Sequence, residues 1–200
     1  YFLGLAHLPL VDTYALFLTG PIMIALLGTI ILKEKLSRRG WFALFLGFAG
    51  VLILLRPGFG SFSIWSITIL GAAAIYALSM VATREMTRTD SSLTIVGWAA
   101  SLSVIVLLPI QPFIWVTPDA SEFLLLAGLG VTAMIAQTLT AQAYAHAPTG
   151  IIAPFDYVAL LYIGLISWLV FDQLPDMFTV VGATLLVTSG ILILREAQTR

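Results

Sequence analysis

The chain of 200 residues is 60% hydrophobic and 10% charged, with a mean hydropathy of +1.06 and a formal net charge of −1. Soluble domains are roughly 45–50% apolar and about 25% charged, so a water-exposed globule is excluded, and the near-neutral balance offers no basic field to nucleic acid. Without cysteine, and with only two histidines far apart, the chain has no route to disulfides or thiol chemistry, and neither a metal site nor a cofactor is expected.

A helix crossing a bilayer core needs about 20 apolar residues. In chain order, seven segments read as such spans, near residues 10–32, 39–55, 64–83, 93–110, 121–144, 149–171 and 176–194. Ahead of them, residues 1–7 read as the last turns of another apolar helix, so a longer parent with upstream helices is expected. The second span is the shortest; Arg39 and Arg56 at its ends can snorkel outward and Trp41 suits the interface. The joins are short and marked by prolines. Thr117-Pro118-Asp119 predicts a Thr117 N-cap, proline at the first helical position and an acid in the first turn. His146-Ala147-Pro148-Thr149 and Leu174-Pro175-Asp176 likewise start helices.

Charge gives an orientation. Lys33, Lys35, Arg38 and Arg39 follow the first span, Arg84 and Arg88 the third, and Arg195 and Arg200 the seventh. If all seven segments cross, eight of the nine basic residues share one side and only Arg56 lies opposite. The positive-inside rule makes the shared side, and the C-terminus, cytoplasmic.

An internal repeat is also legible. Ala6-His7-x-Pro9 recurs as Ala145-His146-x-Pro148, Glu34-x-Leu36 resembles Asp172-x-Leu174, and Gly50-Val51-Leu52-Ile53-Leu54 resembles Gly190-Ile191-Leu192-Ile193-Leu194. The shifts are 139, 138 and 140 residues. That period holds five spans, an odd number, so the copies would enter the membrane in opposite directions, as in many secondary transporters.

The stretch Pro21 … Leu32-Lys33-Glu34-Lys35-Leu36 … Trp41 … Gly47 … Gly50-Val51 resembles the end of an EamA repeat, the unit that defines the drug/metabolite transporter superfamily. A second copy, Ala153-Pro154-Phe155-Asp156-Tyr157 … Trp168-Leu169-Val170-Phe171-Asp172 … Gly182-Ala183 … Ser189-Gly190, is similar to its bacterial branch. Asp172 stands where the family has glutamate, and Pro21 has no clear counterpart in the second copy. The resemblance implies an all-α membrane protein of inverted five-helix repeats in the bacterial cytoplasmic (inner) membrane, with ten spans in the parent. On that reading residues 1–57 end the first repeat, 63–195 form the second, and 196–200 are a cytoplasmic tail. It also implies that the second and seventh spans are peripheral or meet in a homodimer.

Candidate site residues follow from polarity at membrane depth. Asp156 alone among the acids lies well inside a span, about 10 Å along its helix. An aspartate there costs roughly 2.5–3.5 kcal/mol to insert, so it calls for a cavity, a partner or a proton. It reads as a contact for a cationic substrate group or a proton-coupling carboxylate; the plainer reading is an acid bonded to a neighbouring helix. Family members often carry an acid here, as Ala-Pro-Phe-acid-Tyr. Tyr157 follows it but points about 100° around the helix. Gln137 and Thr138 in the fifth span offer neutral hydrogen bonds to substrate or to another helix. Tyr76 in the third span, Trp98 in the fourth, and Tyr14 and Thr19 in the first complete the set. Asp12 and the two histidines read as helix-end groups matched to the dipole. Gly47, Gly50, Gly128, Gly182 and Gly190 read as close packing points, and residues 33–39 as an orientation signal.

The expected function is a secondary transporter of small organic metabolites working by alternating access, with proton coupling as one drive. The cavity would be lined by the first, third, fifth and sixth spans. Its partners would be a small-molecule substrate and the lipid bilayer. No ATP-binding loop, HExxH or GxSxG is present, so an enzyme is not expected; a channel subunit or non-transporting scaffold is the alternative. The residues leave the substrate and the direction of transport open.

Overall fold

The computed structural model describes residues 7–8, 10–56, 64–171 and 177–198. The expectations for Pro9, Asp172, Pro175 and Asp176, and for the side chain of Asp12, fall outside the described residues. Among those described the structure is helical, with no strand: α1 Leu10–Phe17, α2 Gly20–Ile31, α3 Arg38–Leu55, α4 Ile64–Met86, α5 Ser92–Leu107 and α6 Gln111–Ile114 are followed by α7 Ala120–His146 and α8 Thr149–Ile152. A 3-10 segment, Ala153–Tyr157, then leads into α9 Val158–Phe171, and α10 is Met177–Gln198. Among the described residues, four stretches are long and apolar enough to cross a membrane: Thr13–Ile31, Ile64–Met86, Ala120–His146 and Met177–Arg195. Ser92–Leu107 and Thr149–Tyr162 are shorter apolar helices.

The chain forms two compact units. In the first, residues 1–81 and 147–200, α3 lies along α10 over much of its length. Glycine makes this approach possible. A Cβ on Gly50 would stand 2.9 Å from the Gly182 carbonyl oxygen, and one on Gly47 would stand 2.8 Å from Ser189 Oγ and 2.9 Å from the Tyr157 ring. The buried Ser189 hydroxyl donates to the Ala43 carbonyl at 2.6 Å, joining the two helices across the seam. Leu18, Ala25, Leu44, Val51, Leu160 and Leu186 close around Tyr157 to form the main core. Gly190, by contrast, meets nothing within 4 Å among the described residues, so its expected packing contact is not found there.

The span expected as one helix over 10–32 is interrupted between α1 and α2. Pro21 has no N–H to give the Phe17 carbonyl, and the chain tightens there: Thr19 N–H donates to the Leu16 carbonyl at 3.2 Å and Ile22 N–H to the Thr19 carbonyl at 3.1 Å. At the far end of α2, Lys33 takes a left-handed backbone (φ 55°). The N–H groups of Leu32 and Glu34 both then return to the Gly28 carbonyl, each at 3.2 Å.

In the second unit, residues 82–146, α5 packs along α7. The Arg84 guanidinium Nη1 donates to the carbonyls of Tyr144 (2.7 Å) and Ala145 (2.9 Å), satisfying acceptors that a helix C-terminus leaves over. At the other end of α7 the cap is Asp119 rather than the expected Thr117. Asp119 Oδ1 accepts from Glu122 N–H at 2.8 Å and from the Ser121 hydroxyl at 2.7 Å, and Glu122 returns a carboxylate oxygen to Asp119 N–H at 2.9 Å. This reciprocal pairing closes two orphan donors at once, which Thr117 is too far upstream to do; its hydroxyl instead accepts from Trp115 Nε1. The bonds from Glu122 N–H and Ser121 hold the Asp119 carboxyl below its ordinary value of 3.8. The cap's contribution is therefore complete above that value and fades as pH falls through the lower folded one. Gly128 has nothing within 4 Å among the described residues.

These contrasts set a test. Gly50→Ala drives a methyl group against backbone and is expected to cost about 1–3 kcal/mol, whereas Gly128→Ala, mid-helix with no described atom in its way, should be neutral or stabilising by up to about 1 kcal/mol. Thermal unfolding of both variants in detergent measures the difference.

Candidate functional site

The deep acid sits where the sixth apolar segment changes helix type. Pro154 lacks the N–H that would continue the α-helical ladder to the Gly150 carbonyl, and residues Ala153–Tyr157 take 3-10 geometry between α8 and α9. Asp156 lies half-buried in this interruption. Its Oδ2 accepts a hydrogen bond from the Tyr76 hydroxyl on α4 at 3.2 Å. That is long beside the roughly 2.5–3.0 Å of ordinary O–H···O bonds, so the contact is loose.

Tyr76 is also where the other helix interruption arrives. Its ring lies 5.4 Å from that of Phe17, the last residue of α1, tilted by 41°. A Cβ on Gly20, the first residue of α2, would stand 3.4 Å from Tyr76 Cδ1. Tyr14, one turn before Phe17, is half-buried against the main core. One tyrosine thus links the broken first span to the carboxylate of the broken sixth.

The remaining candidates fall elsewhere. Tyr157 is 2% exposed, with its ring against Gly47 in the α3–α10 seam and no hydrogen-bond partner for its hydroxyl among the described residues. The 3-10 turn sends it away from its neighbour Asp156. Thr19 turns its hydroxyl back to the Leu16 carbonyl at 2.7 Å. In the second unit, Thr138 does the same with Met134 at 2.8 Å, Gln137 is exposed, and Trp98 is 63% exposed on the apolar surface of α5. His7 stacks on Trp65 with ring centroids 3.7 Å apart, and His146 Nδ1 pairs with the Gln142 carbonyl at 2.7 Å within the last turn of α7. No group of three or more His, Cys, Asp or Glu suited to a metal occurs among the described residues.

Sequence reasoning missed Phe17 and Gly20, because an aromatic and a glycine in an apolar span carry no polarity to flag them. Thr13, fully buried with an unpartnered hydroxyl among the described residues, was missed as well. The available signal was Pro21, whose missing N–H tightens the turn between Phe17 and Gly20.

Residues 1–56 and 63–195 match the model of the EamA-like transporter family. The chain belongs to that family. The pseudopaline exporter of Pseudomonas aeruginosa (strain UCBPP-PA14) is 26% identical over 200 residues, covering 99% of this chain and 70% of that protein. A riboflavin transporter of Vibrio cholerae is 32% identical over 189 residues, 90% of this chain and 61% of its own. An S-adenosylmethionine uptake transporter of Rickettsia prowazekii is 24% identical, over 96% of this chain and 65% of its own. A solved crystal structure superposes with a TM-score of 0.77 at 23% identity, covering 96% of this chain and 71% of that one, which shows a shared fold. This EamA-family chain is therefore an integral membrane transporter component rather than an enzyme, and its relatives are bacterial.

Within this transporter, Tyr76→Phe removes the hydroxyl from Asp156 and should cost about 1 kcal/mol of stability. Trp98→Phe, on the apolar surface, should shift stability by less than about 0.5 kcal/mol. Unfolding midpoints of the two variants in the same detergent check the contrast.

Proposed function

We propose that this chain is the body of a secondary transporter that moves a small organic metabolite by alternating access across the bacterial cytoplasmic membrane. The supporting observation is the Tyr76–Asp156 hydrogen bond, which sets a membrane-depth carboxylate against a tyrosine touched by a second broken helix. Interrupted helices whose freed backbone groups face a substrate are how many carriers build a site at mid-membrane. An acid there has a natural use in binding a cationic group or taking a proton. The relatives are named for transport of metabolites, two for uptake or transport and one for export, which supports the substrate class and leaves direction free.

In this reading seven segments cross, residues 1–57 end one five-helix repeat and 63–195 form its inverted partner. The basic side and the tail 196–200 face the cytoplasm. Asp156 is the coupling or substrate-binding carboxylate, Tyr76 its donor, and Tyr14 and Phe17 its aromatic wall; Thr19 shapes the tightened turn before Pro21. Tyr157 packs the seam that positions Asp156. In the second unit, Gln137 and Thr138 are neutral hydrogen-bonding groups and Trp98 faces lipid. A homodimer would use the outer faces of α3 and α10.

Reconstitution of the full-length protein in liposomes, with a labelled metabolite panel and an imposed pH gradient, is the test. Asp156→Asn is expected to abolish gradient-driven uptake while the protein inserts and folds normally. Wild-type coupled uptake by that variant would overturn the assignment of Asp156.

A further inference from the structure

Residues 33–39 read from sequence as an orientation signal, yet Glu34 is an acid set among four bases, and the structure gives it a partner. Its Oε2 accepts two hydrogen bonds from one residue 115 positions away: the Thr149 backbone N–H at 2.7 Å and the Thr149 hydroxyl at 2.8 Å. Thr149 is fully buried and begins α8. The contact is built from both sides. Lys33 holds a left-handed backbone, unfavourable for a residue with a Cβ, and this turns Glu34 back over α2. Gly28 leaves the space that Thr149 fills, since a Cβ there would collide with the Thr149 hydroxyl. Gly150 then lies flat under Leu36; its own Cβ would stand 3.0 Å from both Leu36 methyl groups.

Glu34 thus grips the element that carries Asp156, seven residues further along. We infer that Glu34 is a gating residue: its carboxylate latches the start of α8 against the end of α2 in one access state and releases it in the other. The inference rests on the carrier reading above. Charge-assisted bonds of this kind are strong enough to bias a two-state equilibrium. They are also releasable, because Glu34 is only half-buried and is flanked by the exposed Lys33 and Lys35, so water can replace Thr149. The Ser189–Ala43 bond, wholly buried between α3 and α10, has no such substitute and is a fixed joint.

Two measurements on the full-length protein in liposomes, otherwise cysteine-free, test the latch. The first is the pair Leu36→Cys/Gly150→Cys, chosen because a Cβ on Gly150 would stand 3.4 Å from Leu36 Cγ, the position a cysteine sulfur takes. Oxidation is expected to cut substrate uptake at least tenfold, and reductant to restore it; undiminished uptake by the cross-linked protein overturns the latch. The second needs no substrate. In Glu34→Ala, a cysteine at the buried Ala153 should react several-fold faster with a membrane-impermeant maleimide applied from the side of residues 33–39. Unchanged labelling in the folded variant overturns the latch. If Glu34→Ala fails to reach the membrane, Glu34→Leu, of similar size but with no acceptor for Thr149, carries the same measurement with the same two outcomes. A protein that carries none of the panel would count against the transport reading, while the labelling rates would still decide the latch.

Discussion

Hydrocarbon offers no hydrogen bonds, so each polar group within a bilayer must find its partner inside the protein. Asp156 is the group on which that constraint presses hardest, and the structure meets it with the Tyr76 hydroxyl. Tyr76 can serve because small and interrupted backbone lets neighbouring elements come close. Gly20 leaves room for its ring, Phe17 bounds it, and the 3-10 geometry after Pro154 turns Asp156 toward it. A continuous α-helix over 149–171 would place Asp156 and Tyr157 differently relative to the α3–α10 seam, because successive residues step about 100° in an α-helix and about 120° in a 3-10 turn.

That seam is the rigid counterpart of the site. In a membrane, helices associate through close packing and interhelical hydrogen bonds rather than through expulsion of water. Gly47, Gly50 and Gly182 bring the α3 and α10 backbones together, Ser189 joins them, and Tyr157 fills the remaining volume. Asp156 is therefore anchored through its neighbour in a packed core while its own carboxylate faces a loose, polar contact. Under the proposed carrier reading, such a firm support beside a weakly held group would let Asp156 exchange partners during a cycle.

The helix ends repeat this division. Asp119 and Glu122 satisfy each other locally at the start of α7, and Arg84 gathers two carbonyls at its end. Glu34, by contrast, closes the start of α8 from a distant part of the chain. A local cap stabilises one helix whatever the rest of the protein does. A remote one holds only while two segments stay together.

Composition and hydropathy by themselves pointed to an all-helical membrane protein, because the apolar residues run in stretches near the roughly 20 residues that a spanning helix needs, about twice the length of a membrane strand. They also singled out Asp156, since a charge within an apolar span is costly wherever the helix packs. The EamA motifs around residues 32–51 and 153–190 placed it among transporters. Pair contacts were beyond their reach. That Tyr76 rather than Tyr157 meets Asp156 depends on a proline-driven change of helix type and on a glycine in another span. That Asp119 rather than Thr117 caps α7 depends on where the first turn begins. Among the described residues Gly47 and Gly50 meet neighbours while Gly128 and Gly190 meet none, although all four sit in similarly apolar stretches of sequence, because a glycine's role is set by what stands opposite it. Glu34 looked like one more charge in a basic loop until the fold brought Thr149 beneath it. Solvation energy is a property of each residue, so the sequence carries it; which polar atom meets which is a property of backbone approach, and only the tertiary structure decides that.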